Sequence, residues 1–211
     1  GIRLMAITYP RTLPGHTGIR GITLRAVSVT AVAESVFTLR QQILKHTGER
    51  WEAEVTLPSM GRADAEPWVA WLLSMRGRDG TFLLGDPLAA TPLGSAGGTP
   101  LVNGANQTGT SISIKGCTAN QNNWLKAGDY IQISSGSSSS LHKVLTDADS
   151  DSGGIALPEI WPAINTAPGA NSAVVTSNAR GVFRLASSSQ DWSISEISQY
   201  GIVFPAVQVI V

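Results

Sequence analysis

The sequence predicts a mainly β fold with one α-helix, in which a small β domain interrupts a host domain. Three observations lead there. Residues 50–57 alternate between apolar and polar side chains, the period of a strand with one face buried. Residues 64–77 carry apolar side chains at helical spacing. The middle of the chain is poor in charge: residues 89–180 hold 9 charged side chains in 92 positions, against 21 in the 119 positions of the flanks. Breakers bound that middle block, Pro87 and Pro92 before it and residues 178–181 after it. A surface loop accepts such an insertion cheaply when the ends of the insert lie close together. The expected organisation is therefore a host of residues 1–88 and 181–211 and an insert of residues 89–180.

In the host, residues 22–32 and 36–44 are rich in Val, Ile, Thr and other strand formers, and Lys45, His46, Thr47 and Gly48 read as the connection after them. In the next strand Trp51, Ala53, Val55 and Leu57 point one way and Glu52, Glu54 and Thr56 the other. The helix is expected to be capped by Asp64, with Ala65, Glu66 and Pro67 in its first turn. Trp68, Trp71, Leu72 and Met75 then form one apolar face, and Gly77 suits a left-handed stop. Residues 81–84 form a short strand ended by Gly85, Asp86 and Pro87.

The insert reads as five or six short strands. Asn103-Gly104 marks a tight turn. Residues 111–114 alternate, residues 130–133 and 141–145 flank a serine-rich tip and should pair as a hairpin, and residues 155–157 and 173–175 complete the set. Such spacing fits a small barrel or sandwich. An OB-like barrel agrees with it, although spacing does not choose among these. Back in the host, Val182, Phe183 and Leu185 are followed by Trp192, Ile194 and Ile197. Residues 200–211 are an uncharged apolar run that needs cover on both faces, from its own core or from a neighbouring subunit.

The chemistry-bearing residues support no catalytic set. Asp147, Asp149 and Asp151 have the spacing that opens a calcium loop, but Ser152 and Pro158 stand where that loop needs glycine and glutamate. A polar turn is the better reading. His16, His46 and His142 form no metal-binding pair, and Cys117 is the single cysteine. No serine sits in a nucleophile elbow and no phosphate loop is present. Glu52 and Glu54 share a strand face without a third group that would make them an acid and base pair. Trp124, Tyr130 and Trp161 on the insert are the residues to watch for sugar stacking, with core packing as the default for large aromatics. The expected cofactor is none and the expected metal is none.

The 15 basic and 15 acidic residues balance, which argues against attraction to nucleic acid or to an anionic membrane. No run reaches the roughly 20 apolar residues of a membrane span, and no secretory signal is read from Gly1 onward. A reducing cytoplasm is the expected place of synthesis and assembly. The low charged share of 14 % favours surfaces that are buried against partners.

The host segment carries W-E-A-E-V-T-L-P from Trp51, A-x-x-W-V-A-W-L-L from Ala65 and F-L-L-G-D-P from Phe82. The insert carries L-K-A-G-D-Y-I-Q-I from Leu125 and L-H-K-V-L-T-D from Leu141, and the closing part carries G-V-F-R-L from Gly181 and Y-G-I-V-F from Tyr200. In these pieces the chain resembles the distal tail proteins of long-tailed siphophages and related prophages. The resemblance implies a β-sandwich host domain with one helix and a ring of six copies around an open channel. It also implies a place in the virion at the tail tip, between the tail tube protein and the baseplate hub protein, and an accessory role for the insert. It brings no catalytic residue.

Ring formation requires strand edges that a sister copy can extend. The expected edges are Ile22 and Leu24 in the strand from Arg20, Tyr200, Ile202 and Phe204 near the C-terminal end, and the short segment of residues 2–7. A carbohydrate-binding module for host attachment is the alternative; it needs Trp124, Tyr130 or Trp161 exposed side by side. A cell-wall hydrolase lacks a recognisable set of acid, base and nucleophile.

Overall fold

The computed structural model describes residues 6–15 and 18–210. His16 and residues 2–5 of the expected N-terminal edge lie outside them. The described chain is mainly β, with several antiparallel sheets and one α-helix.

The largest sheet belongs to the two ends of the chain. Its strands are β1 (Gly21–Glu34), β2 (Gln41–Thr56), β3 (Phe82–Leu84), β12 (Gly181–Leu185), β13 (Trp192–Ile194) and β14 (Tyr200–Gln208), in the order β1-β2-β14-β12-β3, with β13 also on β14. The alternation read from residues 50–57 is realised: Trp51, Ala53, Val55 and Leu57 are buried on one face. β14 alternates in the same way and lies beside β2, with Phe204 opposite Val55 and Val207 opposite Glu52.

Helix α1 (Arg62–Ser74) covers the buried face. It starts before Asp64. Gly61 is its N-cap and makes no side-chain cap hydrogen bond. Pro67 therefore lies inside the helix, where it has no N–H for the ladder. Both features weaken the helix locally, so burial of Ala65, Trp68, Val69, Trp71 and Leu72 must hold it. Trp71 packs at 4.9 Å from Phe82 and 5.6 Å from Phe204, and its indole N–H donates to the Thr12 carbonyl at 2.9 Å. The left-handed stop falls at Arg76 and Gly77, with φ of 49° and 69°.

The connection expected at residues 45–48 is a bulge inside β2. Ser28 faces Glu49, but Thr30 faces Lys45, so β2 spends two more residues than β1 across that step. The chain reverses at residues 35–40 instead, where Leu39 has φ of 54°. A bulge and a turn use the same kinds of residue, because both interrupt a ladder.

The chain leaves the large sheet at Leu84 and rejoins it at Gly181, directly opposite. Between these points lie two further sheets. One has the order β11-β7-β8-β10-β5, formed by Val174–Val175, Tyr130–Ile133, Ser140–Val144, Glu159–Ile164 and Gly109–Ser111. The other has the order β4-β6-β9, from Gly98–Val102, Ile114–Cys117 and Ile155–Ala156. The expected hairpin forms, with Tyr130 opposite Lys143 and Ile133 opposite Ser140. Trp124, Ile112, Ile114, Leu125, Ile131 and Ile160 centre a second core cluster within this segment.

Because α1 is held by tertiary burial, Trp68→Ala is expected to cost about 3–5 kcal/mol in denaturant unfolding. Leu73→Ala on the exposed face of the same helix should change stability by less than about 0.5 kcal/mol.

Candidate functional site

Two places stand out: an arm that leaves the body of the protein, and the junction between the large sheet and the inserted segment. The arm is the distal part of the β1–β2 hairpin, residues 29–47. Every side chain there is exposed except half-buried Ser35. At 3.2–3.4 Å per residue the ribbon reaches roughly 20 Å beyond the bulge. Val29, Val32, Val36, Phe37, Leu39, Ile43 and Leu44 are all in solvent, Phe37 at 94 % of its area.

Both edges of the arm are open among the described residues. β1 has β2 as its only strand partner. On its other side β2 meets β14 only over residues 52–56. Along residues 26–33 the β1 edge carries no charge, proline or glycine. Natural edge strands are usually blunted by such residues, since unpaired N–H and C=O groups template pairing with another chain.

The expected edge residues are placed as follows. β1 is an edge strand, and Ile22 and Leu24 lie on it, but their side chains turn inward and pack against the main core. Tyr200, Ile202 and Phe204 are core residues of an interior strand, with β2 and β13 or β12 taking its backbone. The edge expected at β14 is thus corrected: its backbone and its inward-facing side chains are covered by its own molecule, while Val203 and Ile210 stay exposed. Sequence alone could not separate the two sources of cover.

At the junction, three aromatics from different segments meet. Trp51 of β2 packs edge-on to Trp161 at 4.6 Å and lies 6.0 Å from Tyr130. The Trp161 indole N–H donates to Ser28 Oγ at 3.3 Å. Tyr130 is 6 % exposed and Trp124 is fully buried, donating its indole N–H to the Gly97 carbonyl. These three rings therefore do not stand side by side in solvent.

Polar residues that the sequence reading did not single out tie this junction. Gln208 accepts from the Trp51 N–H and donates to the Leu141 carbonyl at 3.1 Å. It is the sole long polar side chain in residues 200–211, which is a signal that a buried partner was waiting. Glu49, 6 % exposed, accepts from the Ala163 N–H at 2.9 Å. Asp129, 3 % exposed, accepts from the N–H groups of Leu93, Gly94 and Lys126 and pins the chain where it enters the insert.

His142 is fully buried. Its Nδ1 lies 2.7 Å from the Pro162 carbonyl, which can only accept, so Nδ1 carries the proton and Nε2 accepts from Ser140 Oγ at 2.8 Å. Burial pulls its pKa down from 6.5 to about 4, against a smaller opposing effect of the Pro162 bond. The ring is neutral at pH 7 and a weaker base than ordinary imidazole. Its hydrogen bonds join β8 to β10. Burial likewise pushes the Cys117 thiol up to about 11, so it stays protonated and packs as an apolar group.

The aspartate run does turn chemistry. Asp147 accepts from the Ala127 N–H, Asp149 from the Asn123 N–H, and Asp151 from those of Gly153 and Ile155. Among the described residues no group of three His, Cys, Asp or Glu is placed to hold a metal ion. Glu52 pairs with Arg50 at 2.7 Å, and Glu54 is exposed beside it. No helix among the described residues is long and apolar enough to cross a membrane. No protein-family model matches the chain, and no curated protein is detectably similar to it.

The His142 environment fixes a pH dependence. Its folded pKa lies below its unfolded value, so the unfolded chain takes up the proton first as pH falls. Stability should be lost between pH 6.5 and pH 4, by about 3 kcal/mol from this one group, and level off below. Urea unfolding at pH 7 and at pH 4 should show that loss in the wild type. It should be smaller by about that amount in His142→Asn, which keeps a donor towards Pro162.

Proposed function

We propose that the chain is a structural, non-enzymatic subunit of a phage tail tip, of the distal tail kind, that forms a ring with copies of itself. The observation that carries this reading is the arm: a two-stranded ribbon with apolar side chains on both faces and backbone groups unpaired on both edges. An isolated two-stranded hairpin is marginal in water. Its natural completion is another strand on each side.

The two edges differ, and that difference favours a ring. When the β1 edge of one copy takes the β2 edge of the next, each copy uses its β1 edge on one neighbour and its β2 edge on the other. Such a contact is head-to-tail, and it gives a ring where the rotation between copies closes. Pairing β1 with β1 would instead stop at a two-fold dimer. A closed circle of arms has no free edge and leaves a hole along its axis, through which DNA can pass. The copy number of six comes from the family resemblance, as do the tail tube above and the baseplate hub below.

In this reading the large sheet with α1 is the sandwich-type ring domain. The segment between Leu84 and Gly181 is an OB-like accessory held at the periphery. Its two small sheets around one core suit that role. The neutral overall charge suits a channel that must not grip phosphates.

Native mass spectrometry of the purified chain tests the proposal. The expected result is a closed oligomer, six copies in number. Thr30→Lys with Val32→Lys places charge on the β1 edge and should give monomers with an unchanged circular dichroism spectrum and melting temperature, because these positions touch nothing in the body. A wild-type chain that remains monomeric up to its solubility limit would contradict the ring.

A further inference from the structure

We propose that the turn at the end of the arm, residues 36–39, anchors the protein on a lipid bilayer by entering its surface layer. The inference goes beyond the ring and does not need it. Strand pairing along the arm ends at Glu34 opposite Gln41, so a sister strand added to either edge leaves the turn beyond it uncovered. Val36, Phe37 and Leu39 stand there at 82 %, 94 % and 71 % of their full exposure.

Turns ordinarily carry Gly, Asn, Asp, Ser or Pro. Here Leu39 holds a left-handed backbone, with φ of 54°, which a bulky side chain adopts only at a cost. Solvation and backbone preference both oppose this choice of residues. The apolar turn therefore answers to something outside the chain.

Three features fit a bilayer. The turn is the tip of a protruding ribbon, and a fluid apolar layer takes such a tip without a shaped pocket. Its backbone closes on itself: the Ser35 N–H donates to the Arg40 carbonyl at 3.0 Å and the Leu39 N–H to the Ser35 carbonyl at 2.8 Å. Groups paired in this way leave water at less cost. Finally, a polar collar sets the depth. Glu34, Arg40, Gln41 and Gln42 are exposed directly behind the apolar residues. The Glu34 carboxylate accepts from Gln41 Nε2 at 2.6 Å, whereas the Arg40 guanidinium has no ion pair among the described residues.

With the turn submerged by the roughly 5–10 Å of an interfacial segment, Arg40 comes level with the lipid phosphates, whose charge it complements. The open strand edges stay in water, as they must outside a closed barrel. The balanced charge of the whole chain supplies no long-range pull towards an anionic surface. The contact rests on apolar burial, with Arg40 as a local supplement.

Flotation of the full chain with lipid vesicles tests this anchor. The wild type should rise with phosphatidylcholine vesicles and with vesicles that also contain phosphatidylglycerol. Phe37→Ser with Leu39→Asn should weaken partitioning into both by at least about tenfold. Its circular dichroism spectrum should not change, because these side chains touch nothing in the body. Arg40→Gln should weaken partitioning less than the turn variant does. Ile197→Ser removes an exposed apolar side chain away from the arm and should leave flotation unchanged. No flotation of the wild type, equal flotation of the turn variant, or an equal loss in Ile197→Ser would overturn the proposal. So would a chain that ignores vesicles and whose oligomers the turn variant abolishes, since the turn would then belong to a sister copy.

Discussion

One strand, β2, belongs to two structures at once, and the rest of the molecule follows from that. Over residues 52–56 it has β1 on one side and β14 on the other, and every second side chain enters the core. Beyond the bulge at residues 45–48 it keeps only β1. Backbone N–H and C=O groups must be paired with something. In the inner half protein supplies both sides, whereas in the arm water supplies the outer ones. Hydration satisfies the polar groups but does nothing for Val32, Phe37 or Ile43. The arm is the place where this chain is energetically incomplete by itself.

The inserted segment is positioned by the same strand. Trp51 ends the buried apolar row of β2, and the inserted segment covers it through Trp161, Tyr130 and Leu141. Directional bonds then fix the approach. Gln208 spans from β2 to β8, Glu49 holds the Ala163 N–H, and Ser28 receives the Trp161 indole. An apolar contact alone would allow the two parts to slide. Buried polar pairs with fixed geometry select one arrangement, because each costs free energy if left unmade.

What could be read from the sequence depended on how local the deciding force was. The alternation from Trp51 to Leu57 was legible because one face is covered along its whole length. The helix face of Trp68, Trp71, Leu72 and Met75 was legible for the same reason. Its first turn was not, since the backbone at Gly61 sets the start and Asp64 only resembles a cap. Lys45 to Gly48 announced a break in a ladder, and the pairing of Glu49 with Ser28 and of Lys45 with Thr30 decides that the break is a bulge. β10 was missed because Pro158 precedes it and Pro162 lies inside it. Its ladder with β8 uses Ile160 and Trp161, neither of which lacks an N–H. For residues 200–211 the sequence demanded cover without naming its source. The junction residues Glu49, Asp129 and Gln208 became visible only when segments 35 to 157 residues apart were brought together.

Hydrogen–deuterium exchange across a concentration series tests most directly whether a sister copy completes the arm. At high protein concentration the amides of residues 29–47 that point away from their hairpin partner should be protected, and dilution should release them while the core of the large sheet stays protected. Fast exchange of those amides at every concentration, with the body fully folded, would mean that nothing pairs with the arm and would contradict the account.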